Sequence, residues 1–364
     1  MKKKNKAIYL LFLMPFVYFA TACFVVWLVK TSGIYPSGSD TMYHVYRGDY
    51  VYNAIKSGNW YPLYDPAWYN GVEILRYWSP FPAYVMAFCQ YLAGGSQFGA
   101  YLFYIGGVCF LGACVWPFIG RGFNRPYLGA FIGLLWFFMP NNLCAIFIEG
   151  NLARSLSMIF LPVFIYSVYK YLYNHKLRYI PLMVFTFLLM ELCHLGYAGM
   201  VAIAVIIYGI VYIIQKGRKK AALDVVISMI FGFMLLGIWL VASLRGGITS
   251  LDNSENMANF FQNLWITINP FERLTRGFEY FYFGFATLVV IVFGILFGYK
   301  KSRTGFVTGF IILLMTTKSA YAVLKHLPGS QYLWMLRFIS IALCMILMSF
   351  LMWDRLKKTL VLML

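Results

Sequence analysis

The sequence predicts an all-α fold, a polytopic bundle of about ten transmembrane helices with a long outer loop after the first. Three observations carry that expectation. The 364 residues are 62% hydrophobic and only 12% charged, with a mean hydropathy of +0.71. A soluble core of this length does not use so much apolar sequence. Second, the apolar residues form continuous runs, among them Ala7–Leu28, Tyr101–Ile119, Val225–Leu244 and Phe281–Phe297. These approach the ~20 residues that cross a bilayer core as helix, and their continuity excludes an alternating β-barrel. Third, the charge is divided by position.

Spans are expected at 7–28, 97–119, 126–141, 152–173, 179–194, 197–214, 222–244, 281–298, 304–317 and 335–353. One set of connections then carries 19 of the 30 basic residues, in groups such as Lys2–Lys6, Lys216–Lys220 and Lys300–Arg303, against Asp224 and Asp354. That face is +17 and the other +1. Cytoplasmic loops collect Lys and Arg, so the N-terminus is expected in the cytoplasm. The same placement turns the net charge of +18 away from nucleic acid, since the cations mark a membrane side. The Ala7–Val29 run is 23 residues, too long for a cleaved signal core, and reads as the first span. The seven cysteines are odd in number, lack paired spacing and read as small core residues.

Residues 1–358 are expected to form a single transmembrane domain, with the candidate site in the outer loop 30–96. Phe81–Ala93 is apolar but only 13 residues long, and a crossing there would invert every later basic loop. It therefore reads as an interfacial or re-entrant helix. Residues 359–364 read as the start of a truncated further span, because six helical residues rise only about 9 Å.

The outer loop holds the sharpest constellation, Gly38-Ser39-Asp40-Thr41-Met42-Tyr43-His44-Val45-Tyr46-Arg47. Gly38 and Ser39 suit a helix start. Asp40, His44 and Arg47, spaced i, i+4 and i+7, then share a face. Asp40 could equally be an N-cap accepting backbone N–H bonds, and on spacing alone the two readings stand level. Next come the aromatic residues Trp60, Tyr61, Trp68 and Tyr77, suited to stacking on a sugar face or to an interfacial belt, the belt being favoured about two to one. Glu149 and Arg154 sit at the outer rim, where a simple ion pair would be worth little. Glu191 and His194 lie at the outer end of the fifth span, and Arg337 opens the tenth, where it could simply snorkel. All of these groups fall on the outer half of the bundle, so one shared site is the favoured reading.

These residues resemble a family. The Gly-Ser-Asp-x3-His-x2-Arg run, then Gly58-Asn59-Trp60-Tyr61-Pro62, Trp68-Tyr69-Asn70-Gly71 and Tyr77-Trp78-Ser79-Pro80-Phe81, is similar to the first outer loop of bacterial YfhO-type membrane proteins. It also resembles the related membrane family labelled "6-pyruvoyl-tetrahydropterin synthase-related", whose label describes no pterin chemistry visible in this chain. Glu149-Gly150-Asn151 with Pro162, Glu191-Leu192-Cys193-His194, and Gln331-Tyr332-Leu333-Trp334-Met335-Leu336-Arg337-Phe338 resemble its later motifs. The last departs from the family pattern, lacking Pro and setting two residues between Trp334 and Arg337.

The resemblance extends to GT-C glycosyltransferases and implies a GT-C-like bundle on a bacterial cell membrane, with an extracytoplasmic active face. It implies an inverting transfer of sugar from a polyprenyl-phosphate donor to an acceptor hydroxyl on an envelope glycan or lipid. Asp40 would be general base, with His44 and Arg47 orienting it or the donor phosphates. Arg154 or Arg337 would hold the leaving phosphate. The lipid bilayer is the certain partner. No cofactor is fixed; the resemblance allows a divalent metal, but the sequence offers no ligand set. The rival readings are a transporter or flippase of an amphipathic substrate, which would want ionisable groups deep in the spans, and a non-catalytic envelope-assembly protein.

Overall fold

The computed structural model describes residues 2–36, 38–68, 70–245, 285–298, 300–327, 330 and 333–353. Most of the connection between the spans expected at 222–244 and 281–298, and the segment 359–364, lie outside these. Among the described residues the protein is helical, with no strand beyond the isolated pairing of Asp65 with Val72. The all-α expectation holds.

The first half comprises α1 (Lys2–Ser32), α2 (Thr41–Lys56), α3 (Phe81–Leu92), α4 (Gln97–Gly122), α5 (Pro126–Trp136), α6 (Pro140–Phe147) and α7 (Leu152–Asn174). Then follow α8 (Tyr179–Cys193), α9 (Leu195–Lys216), α10 (Lys219–Leu235), α11 (Gly237–Arg245), α12 (Phe285–Phe297), α13 (Lys300–Met315), α14 (Lys318–Leu324) and α15 (Phe338–Leu351). Four of these, α1 from Phe12, α4, α7 and α9, are long and apolar enough to cross a bilayer by themselves. The bent pairs α5–α6 and α10–α11 raise the number to six. The ten-span topology additionally needs the shorter apolar helices and α13 to cross.

Two expected spans differ from a single rod. The span expected at 126–141 runs as α5 and then turns by 42° into a second helical piece from Asn141. Pro140 explains the break, because it lacks an N–H and disfavours helix in the residue before it. Met139 is accordingly extended, with ψ 136°. The span expected at 222–244 divides at Leu236, and α11 leaves α10 at 67°.

α7 sits at the centre. In its apolar window 83% of residues are buried, against 22% for α1, so α7 is wrapped by helices while α1 faces outward. α15 is short but buried along nearly its whole length, which removes the need for an amphipathic stripe. The short α3 packs on α2, where Gly48 admits the Met86 side chain. Its length suits the interfacial helix expected at 81–93. The loop between α2 and α3 is tied inward by Arg47, whose Nη2 donates to the carbonyls of Ile74 (3.4 Å) and Trp78 (3.3 Å). Trp239 of α11 donates to Leu75 O at 2.8 Å. The outer loop is therefore tied to α2 and to α11.

Candidate functional site

The site begins with a backbone clasp. Ser39 N donates to Ile148 O (3.3 Å), Asp40 N to Glu149 O (3.0 Å), and Ser39 Oγ to the same carbonyl (2.9 Å). Two glycines permit this approach. A Cβ on Gly38 would lie 2.6 Å from Gly150 Cα, and Gly150 has φ +64° with Thr41 N 2.6 Å from its would-be Cβ. Side chains there would force the two motifs apart. The clasp sets the start of α2 beside the start of α7.

Asn151 caps α7, its Oδ1 accepting from Arg154 N at 3.0 Å. That cap fixes Arg154, which is fully buried, and its Nη2 bonds Glu149 Oε1. The other Glu149 oxygen accepts from Arg337 Nε at 3.3 Å. One carboxylate thus joins two guanidinium groups. Arg337 also lies over the Trp334 ring, 4.6 Å from its centroid, and its Nη1 is 3.4 Å from His194 Nε2. The Glu149–Arg154 ion pair is present, and Arg337 joins it through the second Glu149 oxygen. Arg337 is held there by the short 3₁₀ turn Met335–Arg337 that opens α15.

His194 adds a constraint on protons. Its Nδ1 accepts from Tyr197 N at 3.1 Å, capping α9, so in the neutral ring the proton is on Nε2. Among the described residues Nε2 meets only donors, Arg337 Nη1 and Asn151 Nδ2, each at 3.4 Å. Arg154 Nε and Nη1 are buried without a hydrogen-bond partner among the described residues. Around Arg154 and His194, N–H groups are therefore left without acceptors among the described residues, and an oxyanion would supply one.

Asp40 stands immediately before α2, yet its side chain makes no cap bond. Among the described residues it accepts only from Ser39 Oγ, at 3.3 Å. Burial pushes its carboxyl above the usual carboxylate range; Arg337 and Arg154 pull it back and Glu149 adds to the rise. His44 is buried, and its desolvation, with Arg47 and Arg337 nearby, holds its pKa down at about 3. It is a neutral ring at physiological pH and contributes no positive charge to a phosphate. Arg47 is also buried, sits 5.4 Å from the Tyr43 ring centroid and 5.5 Å from that of Trp78, and spends its hydrogen bonds on the loop. Its observed contacts position the loop.

The remaining candidates are scattered. Glu191 is buried on α8 and its Oε2 has no hydrogen-bond partner among the described residues. Its backbone carbonyl accepts from Ser79 Oγ at 2.8 Å, which joins the outer loop to α8. Trp68 packs edge-on against Tyr43 and Tyr46, and Tyr77 against Trp78. Trp60 and Tyr61 are exposed, at 71% and 46%. Among the described residues no cluster of His, Cys, Asp or Glu is arranged to hold a metal ion.

Sequence reasoning missed Asn151 and Ser79. Asn151 was legible as a cap, an Asn directly before a long apolar helix. Ser79 had no local signal, since its partner is 112 residues away.

Beside this cluster runs an apolar groove of about 1080 Å³, walled by α1, α3, α4 and α7. Tyr104 lines it and donates its hydroxyl to Leu152 O at 2.9 Å, in the same helical turn as Arg154.

No curated protein and no solved structure matches the chain. A family model does match, over residues 75–364, and its description is "6-pyruvoyl-tetrahydropterin synthase related domain; membrane protein". The match takes in Glu149, Arg154, His194 and Arg337 and begins after the Asp40 motif. The chain belongs to this 6-pyruvoyl-tetrahydropterin synthase-related family of membrane proteins.

Proposed function

We propose that the protein is a GT-C-type membrane glycosyltransferase with ten crossings and a cytoplasmic N-terminus. It moves a sugar from a polyprenyl-phosphate donor to an acceptor hydroxyl at the outer face. The observation that supports this best is the pairing of unlike groups at the clasp. Asp40 has a carboxyl not used as a cap, and beside it lie two arginines, one with an N–H edge unpartnered among the described residues.

In the transfer the acceptor oxygen bonds to the anomeric carbon as the bond from that carbon to the phosphate oxygen breaks. The acceptor proton passes to the Asp40 carboxylate. The bonding electrons leave with the phosphate, whose growing charge meets Arg154 and Arg337. Configuration inverts because attack and departure are on opposite faces. Glu149 keeps the two guanidinium groups together in the absence of phosphate. The lipid chain follows the apolar groove past Tyr104.

A transporter reading draws on one observation, the broken α5–α6 span, where Asn141 is buried with neither side-chain atom partnered among the described residues. One experiment separates the two. Purified protein in proteoliposomes receives radiolabelled polyprenyl-phosphate sugars and cell-envelope acceptors. The expected result is label on an acceptor. Label that only changes leaflet, with no acceptor modified across the panel, would replace the transferase with a transporter.

A further inference from the structure

The opposite end of the bundle holds a second groove, about 390 Å³, between α7, α9 and α10. Its walls are aliphatic, including Leu172, Val205, Ile213 and Val226. Ile210 and Leu223 are 52% and 57% exposed, so it opens sideways to lipid. Lys219 and Lys220 stand at its mouth.

That mouth is electrostatically mismatched as it stands. α10 begins there with Lys219 and Lys220, after Arg218 and without a capping side chain. The N-terminal end of a helix carries partial positive charge and free N–H groups, so cations in its first turn are unfavourable alone. Arg218 reaches the His175 ring, which draws the 174–178 loop with Lys176 and Arg178 alongside. Asp224, the nearby carboxylate, accepts from Tyr171 Oη at 2.6 Å and is occupied. Lys176, Lys216, Lys219 and Lys220 make no ion pair among the described residues. Positive charge over an aliphatic slot calls for an amphiphile whose phosphate sits at the helix end and whose chains fill the slot.

We propose that this groove binds one anionic phospholipid from the leaflet on the basic face, phosphate on Lys219, Lys220 and the α10 N-terminus, chains along α7 and α9. The site is distant in function from the outer cluster and does not depend on the transferase reading. A free phosphate shares the headgroup chemistry but would leave the slot unfilled.

Gly209 allows a clean test. A Cβ there would meet only Ala222 Cβ, at an ordinary 3.7 Å, so a larger side chain enters the groove without a clash at its base. Full-length delipidated protein is titrated with phosphatidylglycerol or phosphatidylcholine and bound lipid is counted by native mass spectrometry. The parent should keep one phosphatidylglycerol in preference to phosphatidylcholine. Lys219→Gln with Lys220→Gln should reduce that preference about tenfold or more. Gly209→Phe should lose both lipids, with melting temperature and helix content unchanged; Gly209→Leu gives the same reading if the ring is not tolerated. Retention of phosphatidylglycerol by well-folded Gly209 variants would overturn the groove. An undiminished preference in the lysine variant would overturn the headgroup assignment. Equal competition by inorganic phosphate would show a free-anion site instead.

Discussion

The two ends of this bundle use charged residues in opposite ways. At the outer end Arg154, Arg337, Glu149 and His194 are largely buried and touch one another. At the basic end Lys176, Lys216, Lys219 and Lys220 are exposed or half-exposed and form no ion pairs among the described residues. A charge on the surface costs little and can serve topology. A charge in the interior must be paired or it is expensive. Burial, more than charge count, therefore separates a candidate chemical site from an orientation signal.

The largest expected effect comes from breaking the outer network. Glu149→Gln leaves two guanidinium groups facing each other with no carboxylate between them. Stability should fall by about 3 kcal/mol, read as a lower melting temperature in detergent. An unchanged value would mean the network is not stabilising. Gly150→Ala comes next. A Cβ in the left-handed region, pressed on Thr41, should cost about 2 kcal/mol and loosen the clasp, seen as faster proteolysis of the outer loop. Full protection of that loop would contradict the clasp.

A subtler comparison uses pH. A base works only when ionised, and burial raises Asp40. The acid limb of the transfer rate should therefore lie above the ordinary carboxylate range. His44, held at about 3, adds no ionisation near neutrality. The limb should keep its position in His44→Asn, and a shift there would assign it to the histidine. The smallest effect belongs to the other end. Lys176→Gln should change stability by less than about 0.5 kcal/mol, and a larger loss would place that lysine in a contact.

Much of this was legible in the sequence, for identifiable reasons. Apolar run length located most helices because a bilayer imposes that length. Asp40, Glu149, Arg154, His194 and Arg337 stood out because ionisable groups beside membrane spans are rare. What was not legible was their mutual arrangement. Glu149 and Arg337 are 188 residues apart, and their contact depends on α7 and α15 packing together. Arg47 shows what spacing leaves open. Its i+7 spacing from Asp40 puts both on one helix face, but spacing does not choose partners for a long side chain, and its Nη2 donates to the carbonyls of Ile74 and Trp78. The breaks after Trp136 and Leu235 divide between the two cases: Pro140 announces the first, while no proline marks the second.

The central claim is that Asp40 takes the acceptor's proton. The most direct measurement is sugar transfer by Asp40→Asn in membranes, at protein level matched to the parent. Asn keeps the shape, and because the Asp40 side chain makes no cap bond, the melting temperature should not fall. It cannot accept a proton, so transfer should drop about 10²-fold or more. Transfer within about twofold of the parent would remove Asp40 from the chemistry, and the transferase reading would lose its base.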